Sequence, residues 1–386
     1  MSVRSRLRRA LAPQLKQYPR LWKGAVAADF GMERLRHSTA RTLPVLIRPE
    51  PRSIEIAITA RCNLACVGCR YGRDFMPGSE LPYAVVRDLL DDARALDIWD
   101  IRLYGGEPLL HRDLPRMVEY AGGLGLQTHV TTNGMLLRQK LDGLWAAGLR
   151  NLTIGFYGTG ATYDAYVQRK ARFDILEAGV RTAREKHGSE LNMRVNWLLK
   201  RPTCTVADLR AAVDFARRYD LRMQIDLVHY SLPYFTEGPD RVLQFRPGDR
   251  PAIEAVVEEL LQLKKEEPDR LQHSLEGLRS IPDWLMLGPD MQVPCDAYQM
   301  LWVGADGSVQ LCYVTFPLGN LHEHRLRDLL FTPAHRAAAR GAYDLKCGNC
   351  HCHYDRRVRK DAATAARYSG QEGPGPVHRN GSSLAR

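Results

Sequence analysis

Nine cysteines stand in this 386-residue chain, and eight of them fall into two groups whose spacing suits metal ligation. Cys62, Cys66 and Cys69 form C-x3-C-x2-C directly after Ile54-Glu55-Ile56-Ala57-Ile58, which reads as a buried strand. A compact loop that returns three thiolates to one point can hold three irons of a cubane cluster, and such clusters normally take four thiolates. Three local ligands therefore leave the fourth iron open to a substrate or cosubstrate. Zinc is the rival, because CxxC pairs with a distant second pair suit its structural sites. The x3-then-x2 spacing at a strand end favours the cluster.

The second group lies in the C-terminal third. Cys295 opens a C-x11-G-x4-C element through Gly307 to Cys312, in which an apolar run, Asp306-Gly307 and a second run read as a β-hairpin. Cys347-Gly348-Asn349-Cys350-His351-Cys352 follows after 34 residues. Four of these thiolates would ligate a second cubane in full, with zinc again the alternative. Lone Cys204, in an Arg-Pro-Thr-Cys-Thr turn, reads as a bystander.

Both groups need elements to hold them. From residue 54, strand-like runs alternate with segments of helical period: strands at 54–58, 100–104, 127–131, 151–156, 193–199 and 223–229, each followed by apolar residues at helical spacing. That alternation means parallel strands with helical crossovers, here a partial (βα)6 TIM-like barrel of α/β class. Chemistry in such barrels gathers beyond the carboxyl ends of the strands. The unusual residues fall there: the cysteine loop, Gly105-Gly106-Glu107-Pro108, Asn133, Tyr157, Asn196, and Asp226 with His229 and Tyr230. Glu107 offers an acceptor for an ammonium, Asn133 a ribose contact or a helix cap, and Asn196 a ribose or substrate contact. His229 with Asp226 could take a proton from a substrate, since histidine titrates near neutrality.

The cysteine loop and its surroundings resemble the signature of the radical S-adenosylmethionine (SAM) superfamily. The resemblance implies a [4Fe-4S] cluster on Cys62, Cys66 and Cys69 whose open iron chelates SAM. One electron, from a flavodoxin- or ferredoxin-type donor, then yields a 5′-deoxyadenosyl radical. It further implies that Gly105, Gly106 and Glu107 hold the SAM amino group and that Arg169 reaches its carboxylate. Two departures stand out: Gly68 occupies a position that is aromatic in most members, and Gly155 and Tyr157 replace a serine and an aspartate. Tyr157 is then expected to line the substrate pocket. The C-terminal group is similar to the SPASM and shorter twitch extensions, small cysteine-rich α+β units. That similarity implies an auxiliary [4Fe-4S] cluster on Cys295, Cys312, Cys347 and Cys350, with Cys352 as alternative to Cys350. Asn63 to Cys69 is also similar to the cysteine loop of the hopanoid adenosyl-transfer branch.

The expected organisation is a basic amphipathic segment (1–53), the barrel (54–288), the auxiliary domain (289–360) and a disordered tail (361–386). The net charge of +11 is concentrated at the start: residues 1–48 hold eleven Arg and Lys against Asp29 and Glu33. Ser2–Leu11 reads as a basic helix, and residues 1–48 suit peripheral contact with the inner face of a membrane. The remainder is near neutral, which argues against nucleic acid as partner. Clustered cysteines without an export signal fit a reducing cytoplasm. The 53 residues before the first strand are short for a leader-peptide-binding domain. A small molecule (sugar, lipid or natural product) is therefore favoured over a peptide substrate. The contrasting class is a non-catalytic metal-binding module.

Overall fold

The computed structural model describes residues 17–71, 73–229, 234–235, 242–313 and 315–370. The expected Ser2–Leu11 helix, Tyr230 and residues 371–386 lie outside them. Helix α1 (Pro19–Thr39) comes first, and then the barrel alternates in order. Its elements are β1 (Ser53–Thr59), α2 (Tyr83–Ala95), β2 (Asp100–Gly105), α3 (Leu114–Gly123), β3 (Gln127–Thr132), α4 (Leu137–Ala146) and β4 (Asn151–Phe156). Helices α5 (Gly160–Val167) and α6 (Arg172–His187) lead to β5 (Asn192–Leu199), α7 (Val206–Arg218), β6 (Arg222–Leu227), α8 (Arg250–Glu266) and α9 (Leu275–Leu287). The six strands pair in parallel, each beside its neighbour in sequence.

Alternation within each strand explains both its faces. Ile54, Ile56, Ile101, Leu103, Leu152, Ile154, Met193, Val195, Met223 and Ile225 pack into the main core under the helices. The intervening positions face the barrel lumen and are polar. Arg102 pairs with Glu55 at 3.2 Å and donates to Thr131 Oγ1, Arg194 donates to Thr153 Oγ1, and Asn196 donates to Asp226. The lumen is thus a charged, hydrogen-bonding channel rather than an apolar plug.

The auxiliary region continues this sheet. Strand β7 (Met300–Val303) pairs in parallel with β1, and β8 (Ser308–Gln310) and β9 (Pro317–Asn320) add antiparallel strands, giving the order β6-β5-β4-β3-β2-β1-β7-β8-β9. Short α10 (Leu326–Leu329) and α11 (Pro333–Tyr343) follow, then α12 (Tyr354–Lys360) and α13 (Ala362–Arg367). The segment 349–360 spans the barrel's open side. Tyr354 donates to Ile225 O on β6, while Asn349 donates to Met291 O and Arg357 to Val293 O just ahead of β7.

Three expectations need correction. Residues 19–39, read as irregular, form one helix, because Glu33 and His37 find buried partners in Arg52, Lys360 and Tyr298. His229 lies beyond β6 rather than inside it. The tail does not begin at 361. Asp361 caps α13 by accepting from Thr364 N, and buried Tyr368 donates to Asp283.

A candidate active site between two cysteine groups

The loop after β1 is shaped by its neighbours' main chains. Gly106 N donates to Thr59 O and Glu107 N to Arg61 O, both at 2.8 Å. A Cβ on Gly105 would stand 2.3 Å from Thr59 O, and one on Gly106 2.2 Å from Arg61 O. The paired glycines are thus needed for β2 to approach the cysteine loop at all. Glu107 departs from expectation. Its fully buried carboxylate accepts from Leu109 N (3.0 Å), Thr132 Oγ1 (2.6 Å) and Asn133 N (2.8 Å). It is therefore engaged inside the chain, not presented as a free acceptor for an ammonium. Burial pushes its pKa up to about 7 against the pull of those three donors.

Asn133 is not the expected helix cap. Its Oδ1 accepts from Met135 N, while Nδ2 donates to Asn63 Oδ1 at 2.8 Å and approaches Cys62 Sγ at 3.8 Å. Farther along the loop, Val67 N donates to Tyr166 O and Arg70 N to Tyr234 O. Gly68 has φ +80°, and a Cβ there would stand 2.7 Å from the ring of Phe235. An aromatic ring from 167 residues downstream therefore flanks the loop where residue 68 carries none of its own. Burial pushes all three thiols up, Cys69 to about 12, so ligation of a metal would release protons.

Tyr157 lies against the same loop. Its ring packs 4.4 Å from that of Tyr166, and its hydroxyl would stand 2.4 Å from a Cβ on Gly155. The two departures at this strand end are therefore one feature: the tyrosine needs the glycine. Sequence reasoning missed Lys200, a buried amine that donates to Tyr157 O and Thr203 Oγ1. Arg169 is exposed and makes no side-chain hydrogen bond or ion pair among the described residues.

A second network crosses the lumen. Asp226 Oδ2 accepts from Asn196 Nδ2 at 3.1 Å, and Oδ1 lies 3.6 Å from His229 Nε2. Burial pushes Asp226 up, but His229 and Asn196 outweigh it and hold the carboxyl down to about 2. Asn196 Oδ1 and His229 Nδ1 are buried and have no partner in the chain. The His229 ring stacks on His351 at 4.6 Å, which puts this network beside the C-terminal cysteines.

Those five cysteines, Cys295, Cys312, Cys347, Cys350 and Cys352, line one enclosed cavity with Tyr313, Phe316, Asn349 and Arg357. Among the described residues no three His, Cys, Asp or Glu side chains close round a single ion. Cys350 and Cys352 hydrogen-bond to each other, so both expected candidates for the fourth ligand stand at the same wall. Arg357 is 1% exposed and donates to Cys350 O, Val293 O and Asn349 Oδ1, with Nε unpartnered. No carboxylate pairs with it, since neighbouring Asp296 is bound to Arg356 and Lys360. A buried cation without a counter-ion is costly, and an anionic thiolate-ligated cluster supplies the missing charge. The donor set and the orphaned guanidinium both fit such a cluster.

Aromatic rings fill the space between the groups. Tyr71 lies 5.2 Å from Tyr234, which lies 6.3 Å from Tyr313, and Trp302 donates to the Tyr104 hydroxyl. Cys69 borders this set at one side and Cys352 at the other. Tyr104 and Trp302 occupy lumen-facing positions of β2 and β7, a period-two signal the sequence carries but strand propensity alone does not separate from core.

Clustered thiols at the mouth of a partial barrel and a cysteine-lined cavity at its side define an iron–sulfur enzyme. Residues 56–201 match the family model of the Radical SAM superfamily, and residues 295–352 match that of the SPASM iron-sulfur cluster-binding domain. The chain belongs to the radical SAM superfamily and carries a C-terminal SPASM domain, which together imply a SAM-binding [4Fe-4S] cluster and auxiliary cluster binding. Its relatives include the AdoMet-dependent heme synthase of Methanosarcina barkeri, 24% identical over 78% of this chain and 88% of the relative. The GTP 3′,8-cyclase of Mycolicibacterium smegmatis is 28% identical over 72% of this chain and 77% of its own. Similar solved structures include Streptococcus suis SuiB bound to its precursor peptide SuiA, with TM-score 0.57 and 14% identity over 81% of this chain and 73% of that one. Another is anSMEcpe with AdoMet and the Kp18Cys peptide, with TM-score 0.57 and 15% identity over 82% and 96%. At such identities the likeness shows the fold.

Proposed function

We propose that this radical SAM enzyme acts on a small polar organic substrate bound in the barrel lumen between the two cysteine groups. Cys62, Cys66 and Cys69 hold the SAM-binding cluster, and Cys295, Cys312 and Cys347 with Cys350 or Cys352 hold the auxiliary one. When bound, cluster and SAM supply a 5′-deoxyadenosyl radical able to take hydrogen from an unactivated carbon, and the auxiliary cluster can accept an electron. The main chain of Gly105 to Glu107 borders SAM, and exposed Arg169 is the cation available to its carboxylate. Asn196 Oδ1 accepts from a substrate or ribose hydroxyl.

His229 is the proposed base. Its Nε2 faces Asp226, which orients the ring and favours the protonated imidazole, so Nδ1 is the atom left to take the substrate's proton. Tyr157 walls the pocket on the cysteine-loop side.

The observation that carries the reading is the Asn196–Asp226–His229 network, with two buried polar atoms unsatisfied by the chain. Buried polar groups are ordinarily paired, and a hydroxylated or amino-bearing substrate would pair these. The test uses anaerobically reconstituted enzyme, SAM and reductant, with deuterated cell extract split into small-molecule and peptide fractions. Deuterium is expected in 5′-deoxyadenosine from the polar small-molecule fraction, and less of it with Asn196→Ala. Transfer from the peptide fraction alone would favour a maturase instead.

A further inference from the structure

Among the described residues ten large apolar side chains are exposed, and seven of them fall between residues 18 and 45. On α1 they follow a rule. Tyr18, Leu21, Ala25, Ala28, Met32 and Leu35 recur at three, four, three, four and three residues, which puts them on one helix face. All six are exposed, Leu35 at 69% and Tyr18 at 61%. Leu43 and Val45 continue the patch past the helix end. The other face of α1 is committed to the body: Phe30 lies under Arg359, Glu33 meets Arg52 and Lys360, and His37 lies 2.9 Å from the Tyr298 hydroxyl. So contiguous an apolar surface marks a contact site.

Charge decides what covers it. Arg20, Lys23 and Arg34 share an edge beside the apolar strip, at spacings of three and eleven residues. With Glu33 buried in ion pairs, Asp29 is the one acid left to face outward in residues 1–48. A second copy laid strip to strip would bring two cationic edges together without complementary acids, against the pattern of paired helices. Residues 1–16 could not serve either, since they add five cations and no acid. An apolar strip with a cationic edge matches the acyl–headgroup boundary of a bilayer that contains anionic lipid.

We propose that α1, with Leu43 and Val45, seats this enzyme in the plane of an anionic membrane surface. No helix among the described residues is long and apolar enough to cross a membrane, so the contact is in-plane. Its position in the fold limits its role. The segment after α1 joins the body at the amino ends of β1 and β7, where Arg52 N donates to Gln299 O and Glu50 N to Tyr298 O. The cysteine loop follows the opposite end of β1. The membrane thus tethers the enzyme with its active rim turned away, and the inference does not depend on the substrate proposed above.

The test is flotation of full-length, cluster-loaded protein with phosphatidylcholine vesicles, with or without phosphatidylglycerol. Binding is expected with the anionic lipid only, and is expected to weaken as NaCl rises from about 0.1 M to about 0.5 M. Leu21→Ser, Met32→Ser and Leu35→Ser together should lower the bound fraction about tenfold, with iron content and circular dichroism unchanged. Leu35→Glu alone is the second variant should the triple one misfold, and it too should weaken binding. Wild-type protein that stays off anionic vesicles, or serine variants that float as well as wild type, would overturn the proposal. A wild-type dimer that becomes monomeric in Leu35→Glu, with no vesicle binding by either, would assign the strip to a second copy instead.

Discussion

The two cysteine groups sit beside opposite buried charges. Near Cys62 lies Glu107, fully buried, held by three neutral donors and in no ion pair. In the other cavity lies Arg357, also buried and without a carboxylate. An uncompensated carboxylate suits a site that receives a cationic sulfonium, and an uncompensated guanidinium suits a closed anionic cluster. The groups differ in assembly as well. The first spans eight residues of one loop, whereas the second gathers thiols from three segments spread over 57 residues. A local site depends mainly on its own loop, and a dispersed one depends on the whole fold being in place.

The largest effect should come from the cysteines themselves. Cys66→Ala should abolish 5′-deoxyadenosine formation and lower iron from about eight to about four per chain, leaving the C-terminal cluster visible by electron paramagnetic resonance. Cys312→Ser should do the reverse to the C-terminal cluster while leaving SAM binding intact. Loss of both clusters in Cys66→Ala would mean that the groups are not independent.

Arg357→Gln comes next. It removes the one buried cation from the auxiliary cavity and leaves two carbonyl acceptors without their donors, at a cost of about 2–4 kcal/mol in unfolding measurements. The auxiliary cluster's reduction potential should fall by on the order of 50 mV while that of the SAM-binding cluster stays put. Equal shifts at both clusters would break the contrast drawn between their surroundings.

This contrast was only half legible in sequence. Cys62, Cys66 and Cys69 announce themselves because spacing within a loop is a local property. The barrel strands did so too, because apolar runs bounded by helices are local as well. The lumen was readable in principle: Glu55, Arg102, Thr153, Arg194 and Asp226 alternate with apolar neighbours, and that period marks a polar inner face. What stayed hidden depends on distant partners. Glu33 and His37 look wrong for a buried helix face until Arg52, Lys360 and Tyr298 arrive. Glu107 looks like a free acceptor until Thr132 and Asn133 N are placed on it. Helix α9 contains Pro282, which ordinarily argues against a helix interior, yet packing buries most of its length.

Glu107 gives the third prediction. Its pKa rises from about 4.5 unfolded to about 7 folded, so the folded chain keeps a proton that the unfolded chain releases. The stabilisation is full below pH 4.5, declines as pH rises toward 7 and is flat above, an effect of about 3 kcal/mol at most. Glu107→Gln cannot titrate, so the stability difference between variant and wild type should change across pH 4.5–7 and stay level beyond. A level difference throughout would mean that the carboxylate is already ionised at low pH. The opposed-charge contrast would then rest on a stronger negative site than described.

The smallest effect asks whether the first group is as local as its spacing suggests. Gly68→Ala introduces a Cβ 2.7 Å from the Phe235 ring at a φ of +80°. Two costs add there: about 1 kcal/mol of backbone strain, which any side chain carries, and a clash that depends on Phe235. Phe235→Leu removes the ring edge, so Gly68→Ala with Phe235→Leu should recover the steric part in melting temperature and keep the strain. A double variant no more stable than the sum of the singles would leave strain as the whole cost and the loop self-sufficient. Recovery would show that even this eight-residue group has one wall built from 167 residues away.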